Sequence, residues 1–170
     1  MRGGKVQVSN YFPIIKTKRL ILREIVAEDA GNILKYLSDK EVMKHYGLEP
    51  FTTVEDASNE IAWYKSILNE KSGIRWGITL EEQDDIIGSC GFLNRVHNHC
   101  RAEIGYELSK DYWGNGIANA ASQKLIKKNG FIKEGLLRSY EFTCGKFDDL
   151  YMYSLLKQDF DRLQPHEGNI

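Results

Sequence analysis

Several features that mark other classes of protein are scarce or missing in this sequence. Only three of its 170 residues are cysteines, and their odd number and wide spacing argue against a disulfide framework. Basic residues are not in excess, since 23 lysines and arginines face 24 aspartates and glutamates, so we expect no nucleic-acid partner. No apolar run approaches the ~20 residues that span a bilayer, and no apolar segment follows the first residues as in a signal peptide. We therefore expect a cytoplasmic protein without a membrane anchor.

What the sequence does contain is enough apolar material for one folded domain. Hydrophobic residues make up 42% and charged residues 28% of the chain, which argues against global disorder. Residues 1–16 lack periodicity and are predicted to form a flexible lead, and residues 157–170 form a polar tail. A single domain is expected between them, over residues 17–156.

Helical periodicity is concentrated before residue 73. A helix is predicted over residues 27–37, and Ser38 begins a capping-box pattern that predicts a short second helix. Thr53 is the predicted N-cap of a longer helix that ends before Gly73. The buried stripe of that helix is expected to contain Ala57, Ile61, Tyr64 and Leu68.

The remaining pattern has the period of two that is typical of strands. One strand is predicted at residues 19–24, and an antiparallel meander at 74–80, 86–93 and 102–108. A helix over residues 120–129, with Gly130 after its end, precedes two strands at 131–142 and 147–156, which are joined by a turn at Gly145. This order predicts a mixed α/β (α+β) fold with a mostly antiparallel sheet.

A small-residue loop follows the strand at 102–108. Glycines allow backbone N–H groups to turn inward, and with a helix N-terminus they can hold a phosphate or pyrophosphate. By itself the pattern is weak, because glycine turns after strands are common and most of them bind nothing. The loop consists of Trp113, Gly114, Asn115, Gly116, Ile117 and Ala118.

This loop resembles the acetyl-CoA-binding motif of the GNAT superfamily. Trp113 takes the position of the usual Gln or Arg, and in this respect the loop resembles the branch that acetylates the N-termini of ribosomal proteins. Residues 17–23 resemble that branch's opening strand, and Asn119-Ala120-Ala121-Ser122 followed by residues 128–135 resembles its late helix and strand. The resemblance covers residues 17–156 and implies a GNAT-type central sheet flanked by helices.

The resemblance also implies a reaction. Acetyl-CoA would be the co-substrate, and the acceptor would be a primary amine, either a protein N-terminus or a small molecule. A backbone N–H near Leu108 would bind the oxyanion, Asn119 would bind the pantetheine, and Ser122 would protonate the leaving thiolate. Glu103 is the candidate base, and Glu107 lies on the same face of its strand.

Each of these residues also has a plain structural interpretation. Glu103 could be a solvated or salt-bridged carboxylate, Ser122 a helix cap, and Trp113 a packing residue. The chain as a whole could be a non-catalytic CoA-binding module or a degenerate homologue, and either a monomer or a homodimer. No metal is expected, because His97, His99 and Cys100 lack a fourth ligand at zinc-like spacing.

One departure from the family pattern lies between Ala118 and Asn119. In the family the glycine loop begins a full helix, and a strand follows before the Asn-x-x-Ser helix. Here the two motifs adjoin, although that helix and strand would need roughly 25 residues or more. Either a segment is left out of the sequence as read, or the protein has a real deletion. We favour the first explanation, because the missing strand would otherwise interrupt the sheet; a continuous peptide here would favour the non-catalytic interpretation.

Overall fold

The computed structural model describes residues 12–44, 46, 48–96, 101–115, 126, 130–143, 145–156, 158–159 and 162. Two single turns of 3-10 helix, Ala27–Asp29 and Lys110–Tyr112, accompany the regular elements. The strands and helices of this part of the chain are β1 (Ile15–Lys16), β2 (Leu20–Arg23), α1 (Ala30–Leu37), α2 (Lys40–Met43), α3 (Val54–Asn69), β3 (Ile74–Leu80), β4 (Gly88–Val96), β5 (Arg101–Leu108), β6 (Ile132–Thr143) and β7 (Lys146–Ser154).

The strands form two separate sheets. Strands β1 to β5 are arranged in sequence order in one antiparallel sheet, in which Trp76 is opposite Cys90 and Cys90 is opposite Tyr106. Strands β6 and β7 form an antiparallel ribbon of their own. The predicted meander is therefore confirmed. Among the described residues the sheet stops at β5, and no strand joins β5 to the ribbon.

Helices α1 and α3 cover one face of the five-stranded sheet. Thr53 is the N-cap of α3, as predicted, and its hydroxyl accepts a hydrogen bond from the Asp56 amide. The buried stripe differs at one position: Leu68 is exposed, and Ile67 is buried in its place. Ile67 and Leu68 are three and four residues after Tyr64, so both positions fit the helical spacing of the stripe. It is the Ile67 side chain that faces the core near the end of α3.

The opposite face of the sheet has its own apolar cluster around Trp76, Ile78 and Cys90. Phe12 packs edge-on against Trp76 at 5.9 Å between ring centroids, and the Trp76 indole donates to the Pro13 carbonyl at 2.8 Å. Residues 12–16, within the stretch for which we expected a flexible lead, thus cover part of this face.

Several local predictions can be compared directly with the structure. The short helix α2 is capped by Asp39, whose carboxylate accepts from the Glu41 amide, whereas Ser38 ends α1; the predicted capping box at Ser38 is wrong. The reason is that α1 continues through Leu37 and leaves Ser38 in helical geometry. Gly130 and Gly145 have positive φ, as their predicted turn positions require. Most of the helix predicted at 120–129 lies outside the described residues.

Candidate active site

The end of β5 presents a backbone amide to the free edge of the sheet. Leu108 is opposite Gly88, and the next residue, Ser109, donates its N–H to the Ile87 carbonyl at 2.8 Å. Antiparallel pairs alternate between hydrogen-bonded and non-hydrogen-bonded positions, so Leu108 directs its N–H and C=O away from β4. Because β5 is the last strand of the sheet in the described ranges, no described strand pairs with the Leu108 N–H, which leaves it available as an oxyanion donor.

The loop that follows β5 is attached to the same residue. The Trp113 indole N–H donates to the Leu108 carbonyl at 2.8 Å, which closes the 3-10 turn against the end of the strand. Gly114 has φ +76°, and no atom lies within 4 Å of the position that a Cβ would take there. The Asn115 carbonyl accepts from Arg19 at 3.5 Å. The described half of the glycine loop, residues 113–115, is therefore tied to the end of β5.

A buried ion pair supports β5 from the helical face. The Arg75 guanidinium contacts the Glu107 carboxylate, and their side chains are only 1% and 7% exposed. Ser89 joins them, because its hydroxyl accepts from Arg75 Nε at 3.1 Å and donates to Glu107 at 2.6 Å. Burial alone would lower the pKa of Arg75, but the Glu107 carboxylate outweighs this and raises it. The pair fixes the residue that immediately precedes Leu108.

Three tyrosines and a second carboxylate extend this buried polar cluster. The Tyr46 hydroxyl donates to Glu60 at 2.6 Å and lies 3.5 Å from the Tyr64 hydroxyl, and the Arg75 guanidinium lies 5.7 Å from the Tyr64 ring. Burial raises the pKa of Glu60, and the Tyr46 hydrogen bond offsets part of that effect. The Tyr36 hydroxyl is buried and has no hydrogen-bond partner among the described residues.

The structure separates the two carboxylates of β5. Glu103 is exposed and accepts a hydrogen bond from Asn94 at 2.7 Å, whereas Glu107 is buried beside Arg75. Five residues of regular strand separate Glu103 from Leu108, which corresponds to about 17 Å. Glu103 and the Leu108 amide are therefore not brought together, and Glu107 is the carboxylate adjacent to that amide.

Several predicted site residues fall outside the described part of the chain. They are Gly116, Ile117, Ala118, Asn119 and Ser122, together with His97, His99 and Cys100. The junction between Ala118 and Asn119 is among them, so both explanations of its short spacing stand. Among the described residues, no group of histidine, cysteine and carboxylate side chains could hold a metal ion. In the same ranges, no helix combines the length and apolar character needed to cross a bilayer.

Sequence reasoning missed the buried cluster around Arg75. A signal was present, because Arg75 lies in the strand Ile74–Leu80 between apolar residues, where a charge needs a buried partner. The pattern does not say which carboxylate supplies that partner, since Glu103 and Glu107 lie on the same face of β5.

The sequence matches a known protein family and is similar to several bacterial proteins. The model of the acetyltransferase (GNAT) domain family matches residues 19–139. The uncharacterized N-acetyltransferase YoaA of Bacillus subtilis (strain 168) is 38% identical over 173 residues, covering 86% of this chain and 98% of YoaA. The ribosomal-protein-serine acetyltransferase of Escherichia coli (strain K12) is 31% identical over 101 residues, covering 43% of this chain and 56% of that protein.

Solved structures share the fold at lower identity. The microcin C7 self-immunity acetyltransferase MccE, solved in complex with acetyl-CoA and AMP, matches with a TM-score of 0.65 at 19% identity, over 81% of this chain and 92% of MccE. RimL, a ribosomal L7/L12 alpha-N-protein acetyltransferase in complex with coenzyme A, matches with a TM-score of 0.62 at 19% identity, over 83% and 96%. These likenesses confirm the predicted fold class.

The alignment with YoaA also shows a difference in length. It spans 173 positions but includes 86% of the 170 residues, which is about 146 residues. About 27 positions of YoaA therefore have no counterpart in this chain.

Proposed function

Since the chain belongs to the acetyltransferase (GNAT) family and is an N-acetyltransferase that uses acetyl-CoA, we propose that its acceptor is the primary amine of a protein N-terminus. Two similarities support this acceptor. The Escherichia coli relative is a ribosomal-protein-serine acetyltransferase, and RimL is an alpha-N-protein acetyltransferase with the same fold. Trp113 begins the glycine loop in place of the usual Gln or Arg, and this substitution resembles the branch that acetylates ribosomal proteins.

The observation that carries acetyl transfer at this site is the Leu108 N–H, which points away from β4 and pairs with no strand among the described residues. In the reaction the amine nitrogen attacks the thioester carbonyl carbon, a C–N bond forms, and the C–S bond then breaks. Negative charge develops on the carbonyl oxygen, and the Leu108 N–H is the donor that we assign to it. The Trp113 indole N–H donates to the Leu108 carbonyl, and this hydrogen bond holds the end of the strand in position before the substrates bind.

The proton released from the ammonium needs an acceptor near Leu108. Our predicted base is Glu103, and Glu107 is the alternative, because it is the neighbour of Leu108 whereas Glu103 lies five residues away along the strand. The Glu107 side chain is buried and ion-paired with Arg75, so it would act through a water molecule or by attracting the ammonium. The single variants Glu103→Gln and Glu107→Gln show which of the two carboxylates is the base. The base variant loses more rate at neutral pH than at high pH, and the other variant keeps the wild-type pH–rate profile.

The remaining proposals concern the glycine loop and the short spacing that follows it. We propose that the backbone amides of residues 113–118 bind the pyrophosphate of acetyl-CoA, that Asn119 binds the pantetheine, and that Ser122 protonates the thiolate. We place the length difference from YoaA between Ala118 and Asn119, where one helix and one strand of the family pattern are missing. The intact mass of the purified protein tests this placement. A mass that matches the 170-residue sequence supports a real deletion, and a heavier protein supports a segment left out of the sequence.

A proline scan along the edge of β5 tests the oxyanion donor. Leu108→Pro removes the amide hydrogen, and a strand edge tolerates proline where its N–H faces outward. We expect kcat to fall about 10²- to 10³-fold below that of Leu108→Ala, which loses the same buried side chain but keeps the N–H. Ile104→Pro is the control, because Ile104 faces the same edge about 13 Å away. Equal rates for Leu108→Pro and Leu108→Ala would remove Leu108 from this role.

An acceptor panel tests the proposed substrate class. Release of the CoA thiol is followed with a peptide that has a free N-terminus, the same peptide with a blocked N-terminus and one internal lysine, and spermidine. The proposal predicts the highest kcat/KM for the free N-terminus. Preference for spermidine would show a small-molecule acceptor. Binding of acetyl-CoA without turnover of any amine would return the chain to a non-catalytic CoA-binding module.

Two further assignments complete the proposal. We propose a cytoplasmic location, which cell fractionation with a soluble marker checks; recovery with the membrane or secreted fraction would contradict it. We propose that the protein is either a monomer or a homodimer, and sedimentation velocity distinguishes the two.

A further inference from the structure

The Tyr36 hydroxyl is a buried polar group that the packing of the core leaves unexplained. Tyr36 belongs to α1 and is only 2% exposed, and its hydroxyl forms no hydrogen bond with any described residue. An unpaired buried hydroxyl destabilises the folded state, and proteins pair the large majority of such groups. Tyr46 differs, because its hydroxyl donates to Glu60 at 2.6 Å. The Tyr36 hydroxyl therefore points to a partner that arrives with a ligand.

This hydroxyl belongs to the cluster around Glu107. Burial raises the pKa of the Tyr36 hydroxyl well above its usual range, the negative charge of Glu107 raises it further, and Ser89 and Arg75 oppose part of the rise. Ser89 is turned towards other partners, since its hydroxyl donates to Glu107 at 2.6 Å and accepts from Arg75 at 3.1 Å. The Tyr36 phenol therefore stays protonated, and its oxygen keeps lone pairs for a donor from outside the cluster.

Glu107 offers a second acceptor. Both hydrogen bonds that described residues donate to Glu107, from Arg75 and Ser89, go to its Oε2 atom. No described residue donates to Oε1, although a carboxylate can accept about four hydrogen bonds in all. One carboxylate oxygen and one neutral hydroxyl thus remain for a ligand that is rich in N–H donors. A primary ammonium is such a ligand, because it combines three N–H donors with one positive charge.

The cluster lies at the end of the sheet where we propose acetyl transfer. Ser89 is opposite Glu107, and Gly88 is opposite Leu108, in the pairing of β4 with β5. Glu107 is thus one strand residue, about 3.4 Å, from the residue that supplies the oxyanion donor. The attacking nitrogen must lie about 3–3.5 Å from the carbonyl carbon whose oxygen that donor binds. A group that holds the nitrogen here therefore determines how often it is in position to attack.

We propose that the Tyr36 hydroxyl oxygen accepts a hydrogen bond from the acceptor ammonium, which Glu107 Oε1 binds at the same time. This inference rests on the proposed acetyl transfer at Leu108 and adds Tyr36 to that site. One ammonium proton leaves to the base, and the nitrogen then forms the C–N bond as the C–S bond breaks and the thiolate is protonated. Tyr36 neither gains nor loses a proton, and its role is to orient the nitrogen.

The variant Tyr36→Phe tests this role because it removes only the hydroxyl. Without substrates that hydroxyl has no described partner, so the Tm of Tyr36→Phe should equal or exceed that of the wild type. Tyr46→Phe removes a paired hydroxyl and should lower the Tm. With a peptide that has a free N-terminus, kcat/KM of Tyr36→Phe should fall about 10- to 100-fold, which corresponds to one hydrogen bond to a charged group. The KM for acetyl-CoA should not change.

Tyr106→Phe is the kinetic control. Tyr106 adjoins Glu107 in sequence, but it points to the other face of β5 and is 53% exposed. This variant loses the same hydroxyl group and should keep the wild-type kcat/KM. Isothermal titration of the peptide into CoA-saturated protein measures the contact without turnover, and Tyr36→Phe should bind the peptide about 10- to 100-fold more weakly than the wild type.

Three results would overturn the inference. They are a Tyr36→Phe variant with wild-type kcat/KM and peptide affinity, a Tyr36→Phe variant that is unfolded or has a lower Tm, and a loss of equal size in Tyr106→Phe. A wild type that binds the peptide through Tyr36 but transfers no acetyl group would contradict the proposed function and leave this contact standing. A wild type that does not bind the peptide would contradict both.

Discussion

Removal of the negative charge from Glu107 should destabilise this protein far more than a typical surface substitution. Glu107→Gln keeps the size of the side chain but leaves the Arg75 guanidinium buried without a counter-charge. Breaking a buried ion pair in this way costs about 3–5 kcal/mol of unfolding free energy. For a domain of this length each kcal/mol corresponds to about 2–4 °C in Tm, so we expect a fall of about 6–20 °C.

The matched variant removes both charges together. Arg75→Met with Glu107→Leu replaces the pair by apolar side chains, which is often neutral or stabilising by about 1–4 kcal/mol. Urea unfolding of the wild type, both single variants and the double variant gives the coupling free energy between the two residues. If Glu107→Gln costs less than about 1 kcal/mol, the argument that this cluster is a dry, charge-paired support for β5 is refuted.

Three further predictions follow from buried residues. Burial raises the pKa of Glu60, so the folded state binds that proton more tightly and stability falls as pH rises through the raised pKa. Glu60→Gln, which can still accept from Tyr46, should raise stability above that pKa and remove this fall from the pH dependence measured by urea unfolding. A Cβ at Gly91 would clash with the Ile74 carbonyl oxygen of β3, so Gly91→Ala should cost about 3 kcal/mol. Gly31→Ala, whose Cβ would meet no described atom within 4 Å, should gain up to about 1 kcal/mol in the same assay. Burial raises the pKa of the Cys90 thiol to about 12, so mass spectrometry after iodoacetamide treatment should find Cys90 unmodified until the protein is unfolded; rapid native modification would contradict its burial.

The strands and long helices of this fold are predictable from sequence because local chemistry and burial agree there. Thr53 caps α3 and the strand Ile74–Leu80 has the predicted bounds, since capping residues and a period of two are local signals. The exchange of Leu68 for Ile67 was not predictable, because both positions fit a helical stripe and the packed sheet selects between them. The same applies to Ser38 and Asp39, which are neighbouring residues with similar capping ability.

Some residues of the candidate site could likewise be identified from the sequence, and others could not. Leu108 and Trp113 were identified through motif resemblance, and their hydrogen bond shows how the loop is attached to β5. The choice between Glu103 and Glu107 depends on Arg75, which is 32 residues from Glu107 in sequence. Pairings at such separations are set by strand register, and no local pattern reports them.

The measurement that tests the account most directly is acetyl transfer by the purified 170-residue chain. Thiol release from acetyl-CoA and the intact mass of a peptide with a free N-terminus are followed in the same reaction. The account predicts thiol release that requires both protein and peptide, with one acetyl group gained by the peptide for each thiol released. A folded protein that produces no thiol above the uncatalysed rate with any primary amine would contradict it.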